Sequence, residues 1–108
     1  MTGCSDPHLT SNNSTSLIYQ CIGGSENQTI SVYWQVNSVK SSYSHVDTHD
    51  NNGNYISEVT IPIELNGALL ECCFVPHVGD SDICCSVIVN IGMHFTALIV
   101  SIIIIMIM

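Results

Sequence analysis

Two cysteines and one tryptophan place the tightest limits on how this chain can fold. Cys21 and Cys72 lie roughly fifty residues apart, and Trp34, the only tryptophan, lies between them in the apolar run 30–36. Such a run predicts a β-strand. We therefore expect Cys21 and Cys72 on strands of different sheets, joined by a disulfide through the core, with the Trp34 indole packed against the sulfurs. In the loop-closure model this disulfide is worth roughly 4 kcal/mol.

The residues before the second cysteine carry a family resemblance. The immunoglobulin superfamily has a cysteine on strand B, a tryptophan on strand C and, on strand F, the motif Asp-x-Gly/Ala-x-Tyr-x-Cys. Asn66, Ala68, Leu70 and Cys72 stand at those motif positions, so the chain resembles that superfamily. Asn66 lacks the charge of the usual acid, and Leu70 lacks the phenol of the usual tyrosine.

The resemblance implies an all-β fold in residues 4–91, an immunoglobulin-like two-sheet β-sandwich of about seven strands and of constant or intermediate type. Apolar residues at every second position predict strands at 16–22, 30–36, 55–63, 70–74 and 83–90, with a short edge strand near 8–10. The predicted core around Cys21 and Cys72 is Leu17, Tyr19, Val32, Trp34, Val36, Val59, Ile61, Leu70 and Phe74.

The polar stretch 39–54 predicts at most one short strand, through Tyr43, and a turn at 50–53, because Asn and Gly tolerate positive φ. His45 and His49 would align as metal ligands only on a helix, and a solvated loop is the better interpretation of their surroundings. A calcium loop starting at Thr48 fails, since Val59 stands where a bidentate glutamate belongs. We predict neither a metal nor a cofactor.

Charge narrows the range of partners. The formal net charge is -8, and Lys40 is the only basic residue. Nucleic-acid binding depends on Lys and Arg at phosphates, so this chain is poorly equipped for it. Anionic membrane surfaces would also repel the chain.

Three N-x-[ST] sequons, at Asn12, Asn13 and Asn27, together with six cysteines, predict a glycosylated domain in an oxidising compartment. Residues 1–10 show no basic and no apolar region of a signal peptide. Either the sequence begins downstream of the true start or the domain stays in the cytosol, and we favour the first.

The other four cysteines leave alternatives open. Cys73 and Cys84 are predicted to face outward on neighbouring strands, where a disulfide would clamp the loop between them. The resemblance implies that the N-terminal segment pairs beside the last strand, which would bring Cys4 to Cys85. Pairing of Cys4 with Cys84 and of Cys73 with Cys85 remains possible. Zinc is a weaker rival, because adjacent cysteines on a strand point to opposite faces.

Residues 92–108 form a distinct, strongly apolar segment. We predict a hydrophobic helix, and a helix counted from Ile91 would be about 27 Å long, close to the roughly 30 Å of a bilayer core. A truncated transmembrane helix is the first interpretation. A cleaved lipid-anchor signal and a buried strand are the alternatives.

The resemblance implies a non-enzymatic binding module used in adhesion or receptor–ligand recognition. The cysteines, the sequons and the apolar end segment predict that it is the extracellular part of a single-pass cell-membrane protein. No Gly-x-Ser-x-Gly elbow or phosphate-binding glycine loop is present in the sequence. The alternative is a cytosolic tail-anchored protein with reduced, zinc-binding cysteines. Loops and exposed sheet faces would carry the protein partner. The predicted contact residues are Tyr33, Gln35, Glu71 and Tyr43, together with the loop 75–82, which contains His77 and Val78.

Overall fold

The computed structural model describes residues 3–25, 29–77, 79 and 81–90. Within these ranges the chain is all-β, apart from one turn of 3-10 helix at Ile63–Leu65. The strands are β1 (His8–Asn12), β2 (Ser16–Ser25), β3 (Thr29–Val36), β4 (Val39–Lys40), β5 (His45–His49), β6 (Asn54–Pro62), β7 (Leu69–Pro76) and β8 (Ile83–Ile88).

The strands form two antiparallel sheets of four. The first sheet has the order β1-β2-β6-β5 and the second has the order β4-β3-β7-β8. Along the chain, β1 pairs with β2 and β5 with β6 in the first sheet, and β3 pairs with β4 and β7 with β8 in the second, all antiparallel. The predicted all-β, two-sheet architecture is confirmed at this level, with eight described strands instead of about seven.

The stretch between β3 and β6 differs from its prediction. The strand expected at Tyr43 is absent from the described structure, and Tyr43 instead packs its partly buried side chain against the core. His45–His49, predicted as a solvated loop, forms the edge strand β5. All five of its residues are exposed. Backbone pairing with β6 holds this strand, so its sequence carries no apolar alternation for a pattern to reveal.

The predicted core is confirmed almost residue for residue. Eight of the nine predicted side chains are buried, together with Cys21 and Cys72. Val36 is only partly buried because it ends β3, next to the turn at Asn37 and Ser38, where φ is positive. The buried predicted side chains are Leu17, Tyr19, Val32, Trp34, Val59, Ile61, Leu70 and Phe74.

The tryptophan and the central disulfide lie together between the sheets. Trp34 stands opposite Cys72 in the β3–β7 register, and Cys21 stands opposite Ser57 in the β2–β6 register. The Trp34 Nε1–H donates to Ser57 Oγ at 2.8 Å, which joins the second sheet to the first by a buried hydrogen bond. Ser57 is fully buried, so this bond also satisfies a hydroxyl that water cannot reach.

All six cysteines lie in the described residues and form three disulfides. Cys21–Cys72 and Cys4–Cys85 have Cα–Cα distances of 6.4 and 6.0 Å, and in Cys73–Cys84 the Cα atoms are 4.1 Å apart. The favoured connectivity is therefore the observed one, and it leaves no thiolate for zinc.

The route to Cys4–Cys85 differs from the one expected. Cys4 forms a β-bridge with Gly23 of β2 in the first sheet, so the prediction that the N-terminal segment pairs beside the last strand is wrong. The disulfide consequently spans from the first sheet to β8 in the second. Gly23 makes this approach possible, because a Cβ there would lie 2.6 Å from Cys4 Cβ and 3.0 Å from the ring of Phe74.

The predicted turn at 50–53 links β5 to β6. Asp50 Oδ1 accepts backbone N–H bonds from Asn52 and Asn54, both at 2.9 Å. These bonds, led by those from Asn54, lower the pKa of Asp50 below its usual value. Gly53 takes φ 79°, which the turn requires.

The apolar segment predicted as a helix at 92–108 lies outside the described residues. Among the residues that are described, no helix has the length and apolarity to cross a membrane.

Candidate functional site

The outer face of the second sheet is the strongest candidate for a contact surface. Alternation along β3 directs Trp34 into the core and leaves Tyr33 and Gln35 partly exposed on the opposite side. Register then fixes their neighbours. We call this surface the Tyr33 face and define it by Tyr33, Gln35, Lys40, Glu71, Asp82, Cys84, Ser86 and Ile88.

Tyr33 is the most constrained polar side chain on this face. Its hydroxyl donates to Asp82 Oδ2 at 2.8 Å, which ties β3 to the residue just before β8. The Lys40 Nζ lies 4.9 Å from the ring centroid, within cation–π range. The hydrogen bond to Asp82 raises the pKa of Tyr33 above 10.0, and burial and the charges of Asp82 and Glu71 raise it further. The phenol therefore stays neutral and donating at physiological pH.

A polar row crosses the sheet next to Tyr33. Lys40 stands opposite Gln35, Gln35 opposite Glu71, and Glu71 opposite Ser86. Lys40 is the only basic residue in the chain. The row therefore places the single cation at one edge of the sheet and an acid near its centre, a charge pattern that a protein partner can recognise.

A disulfide holds the neighbouring row. Cys73 stands between Tyr33 and Cys84 and is bonded to Cys84. Cys73 was predicted to face outward. It does lie on the same side of the sheet as Tyr33 and Cys84, yet its side chain is fully buried. Its disulfide partner Cys84 stays exposed. The disulfide fixes β7 against β8 beneath the Tyr33 face.

The loop after β7, which was predicted as part of the contact surface, lies apart from the other predicted contact residues on β3. His77 is exposed and lies past the end of β7, roughly 13 Å along the strand from Cys73 at about 3.3 Å per residue. It therefore lies away from Tyr33 and Gln35, which the structure does bring together. Val78, predicted as a contact residue, lies outside the described residues.

The sequon asparagines lie on a different part of the surface. Asn12 is exposed at the end of β1, in the first sheet. The Asn13 Oδ1 accepts bonds from the backbone N–H groups of Thr15 and Ser16, at 2.9 and 2.8 Å, and so caps the turn between β1 and β2. Asn27 lies outside the described residues. Glycans on Asn12 or Asn13 would leave the Tyr33 face open.

A second polar cluster runs from the surface to the core and was not predicted. Ser57 Oγ accepts from Trp34 and donates to Asp47 Oδ1 at 2.7 Å, and the same oxygen of Asp47 lies 2.7 Å from His45 Nδ1. Ser57 is fully buried and its proton goes to an aspartate, so the group is not arranged as a nucleophile with a histidine base. The cluster instead anchors the edge strand β5 to the core. Burial raises the pKa of nearby Tyr55, with a smaller effect from the Asp47 charge.

Two other features concern metal binding and small-molecule binding. The described residues contain no group of three or more His, Cys, Asp or Glu side chains placed to hold a metal ion. An open depression of about 390 Å³ lies between the N-terminal segment and β2, and none of its lining residues has an ionisable side chain. Its lining is Gly3, Cys4, Ser5, Ile22, Gly23, Gly24 and Asn54.

No known family model matches the chain, and no curated protein is significantly similar to it.

Proposed function

We propose that the chain is a non-enzymatic, extracellular recognition module of the immunoglobulin superfamily, belonging to a membrane protein that contacts other proteins at the cell surface. The observation that carries the proposal is the Tyr33 face. On it a tyrosine, the only cation and two acids are held in fixed positions by cross-strand register, the Tyr33–Asp82 bond and the Cys73–Cys84 disulfide.

The strand order supports the superfamily assignment. Immunoglobulin domains place strands A, B, E and D in one sheet and C, F and G in the other, with C′ added beside C in variable-type domains. When the strands are lettered along the chain, the sheet order β1-β2-β6-β5 becomes A-B-E-D, and the sheet order β4-β3-β7-β8 becomes C′-C-F-G. The bridge from β2 to β7 and the tryptophan on β3 then occupy the family's B, F and C positions.

The composition of the face supports a role in recognition. Tyrosine offers a large contact area at a small entropic cost, and binding energy in protein interfaces is concentrated on such anchors. The side chains here are already positioned before a partner arrives, so less conformational entropy is lost on docking. Membrane attachment is proposed from the apolar segment 92–108, and an extracellular location from the disulfides and sequons.

Binding to cells tests the proposed function. The full chain, made in a secretory host, would be reconstituted in fluorescent liposomes and its adhesion to a panel of cultured cell types measured by flow cytometry. We expect Tyr33→Ala to reduce binding to a responsive cell type about tenfold, the effect of losing one interface anchor. Thr48→Ala, on the exposed edge strand of the first sheet, is the matched control and should bind like the parent.

Two outcomes would contradict the proposal. The first is that the parent binds no cell type above the level of empty liposomes. The second is that Tyr33→Ala and Thr48→Ala bind equally well. Treating the same secreted protein with a peptide N-glycosidase tests the compartment, since unmodified Asn12, Asn13 and Asn27 would remove the support that the sequons give.

A further inference from the structure

The four edges of the two sheets are protected very unequally. Natural sheets discourage edge-to-edge pairing with charges, bulges, very short strands or a covering segment. The edge strand β1 has an irregular register and ends at a sequon asparagine, and β5 carries charged and imidazole side chains on exposed positions. The edge strand β4 has only two residues, one of them Lys40.

Among the residues that the structure describes, the strand β8 has none of these devices. Its sequence, Ile-Cys-Cys-Ser-Val-Ile, contains no charged residue and no proline. It pairs with β7 over six residues without a register shift. Its end residue Ile88 is 55% exposed, one of the most exposed large apolar side chains in the described structure.

The free backbone groups of β8 can be assigned from the pairing on its other side. The Val89 N–H donates to Ala68 O, and Val89 O accepts from Gly67 N–H, so Val89 is hydrogen-bonded toward β7. Because hydrogen-bonded and non-hydrogen-bonded residues alternate along an antiparallel strand, the backbone groups of Val87, Cys85 and Ile83 also point toward β7. The remaining residues, Cys84, Ser86 and Ile88, direct their N–H and C=O groups to the open edge.

The Cys73–Cys84 pair supports this assignment independently. Its Cα–Cα distance of 4.1 Å fits a non-hydrogen-bonded pair of an antiparallel ladder, which is the closer of the two types at about 4.5 Å. The backbone N–H and C=O groups of Cys84 are therefore not hydrogen-bonded to Cys73. From Gly3 onward, where the N-terminal segment is described, it does not cover them either, because Cys4 reaches β8 only through its side chain while its backbone pairs with β2. Within the described ranges, β8 has no strand on its outer side.

We propose that β8 pairs with the β8 strand of a second copy of the chain, antiparallel and centred on Ser86, to form one continuous eight-stranded sheet. In this register Ser86 faces Ser86 of the second copy and Cys84 faces Ile88 of the second copy. Each copy contributes the same donors and acceptors, so the contact is isologous and closes as a two-fold dimer.

The absence of charge on β8 allows a second copy to approach at this edge, and the charges at its ends fix the orientation. The protein carries a net charge of -8, so most of its surfaces repel a second copy. The two β8 strands bring no charge together, and the nearest acids, the two Glu71 side chains, would lie three strand spacings apart, about 14 Å. That exceeds the Debye length of about 8 Å at physiological ionic strength. In the antiparallel register each Asp82 lies opposite Asn90, and the two Asp82 residues are at opposite ends.

The dimer is a small, reversible contact. One edge pairing of six residues buries less surface than a standard stable interface, so we expect a dissociation constant on the order of 10–100 µM. The pairing uses the backbone edge of β8, whose residues Cys84, Ser86 and Ile88 also belong to the Tyr33 face. It does not involve the Tyr33–Asp82–Lys40 cluster and does not rest on the proposed function.

Sedimentation equilibrium of the full chain in detergent, from about 1 µM to about 1 mM, tests the proposal. Ser86→Lys places two like charges face to face at the centre of the pairing, and Ser86→Pro removes only the N–H that points to the open edge. Both should weaken the dimer at least tenfold. Ser42→Lys makes the same chemical change at an exposed residue outside every strand and should leave the dimer intact. Near-ultraviolet circular dichroism would verify that each variant is folded.

Amide hydrogen exchange gives an independent measurement. Concentrating the parent chain should slow exchange at Ser86 and Ile88 while leaving the exposed edge strand β5 unchanged. A parent that stays monomeric at about 1 mM would overturn the proposal, as would a dimer that forms equally well with Ser86→Lys. The second result would place the contact elsewhere, including in the apolar segment 92–108. Protection of β8 that appears only after an extended peptide is added would identify a foreign strand as the occupant and would equally overturn it.

Discussion

Trp34 and Tyr33 are adjacent on one strand, yet they belong to regions that are held together in different ways. Trp34 is 1% exposed, packs in the core beside the Cys21–Cys72 disulfide and hydrogen-bonds to the buried Ser57. Tyr33, on the other side of the same sheet, is held by Asp82 and Lys40 and stays partly open to solvent. The core region depends on burial of apolar surface, whereas the Tyr33 face depends on which residues the register happens to align. The first should dominate stability and the second should dominate recognition.

Substituting each of the two residues by alanine gives the largest expected contrast. Trp34→Ala should cost about 3–5 kcal/mol of unfolding free energy, because it leaves a large cavity and removes the hydrogen bond that the buried Ser57 oxygen accepts. Tyr33→Ala should cost about 1 kcal/mol or less, because its ring is partly solvated. Denaturant unfolding measures both. Equal losses in the two variants would mean that Trp34 is not the centre of the core.

Gly23→Ala tests how the N-terminal segment joins the two regions. The new methyl group would overlap Cys4 Cβ, so the segment must move away from β2. We expect a loss of about 3 kcal/mol, because overpacking costs about 1–3 kcal/mol and failure to close a native disulfide costs at least about 2 kcal/mol. Thiol titration of the folded protein should detect Cys4 and Cys85 as partly reduced. A fully oxidised variant with parental stability would contradict the observed path of the segment.

Ser57→Ala removes the hydrogen bond between the sheets, together with the bond from Ser57 to Asp47. It leaves the buried Trp34 Nε1–H without its partner, which should cost about 1–3 kcal/mol. Because the chain has one tryptophan, its fluorescence reports this site alone, and the emission maximum should change. Thr60→Ala, on the exposed side of β6, is the control and should change neither quantity. Unchanged emission in Ser57→Ala would show that the indole donates elsewhere.

The smallest effect concerns pH and belongs to the Tyr33 face. The folded-state pKa of Tyr33 is raised above 10.0, chiefly by donation to Asp82. Its contribution to stability is therefore complete below pH 10 and is lost as the pH rises through the folded-state pKa. Ultraviolet absorbance should show two of the four tyrosines, Tyr33 and Tyr55, ionising late, and Asp82→Asn should shift only one of the two toward lower pH. Superimposable titration curves would mean that the bond to Asp82 does not hold Tyr33.

The two regions also differ in how far the sequence could predict them. The core was predictable because burial leaves a local signature. Leu17, Tyr19 and Cys21 alternate with more exposed residues on β2, and the same period of two marks β3 and β7. A disulfide across the core further required Cys21 and Cys72 to meet, which set the two sheets against each other.

The Tyr33 face and the first-sheet edge depend on non-local facts that alternation cannot supply. Tyr33 and Gln35 were predicted as exposed contact residues, but the approach of Lys40 and Asp82 to Tyr33 follows from strand register and turn geometry. The strand β5 was missed because all of its residues are exposed, so no apolar alternation marks it. Asp47 and Ser57 gave no signal, since neither residue type indicates a buried hydrogen bond without knowledge of its partner.

Disulfide mapping of the full chain from a secretory host tests the account most directly, because one bond lies in each region and a third joins the sheets through Cys4. Cysteines 72 and 73, and 84 and 85, are adjacent, so proteolysis cannot separate them, and partial reduction with stepwise alkylation or electron-transfer fragmentation is needed. We predict Cys21–Cys72, Cys73–Cys84 and Cys4–Cys85 with no free thiol. Cys4–Cys84 together with Cys73–Cys85, or reduced thiols in the folded protein, would contradict the packing of the two sheets described for this chain.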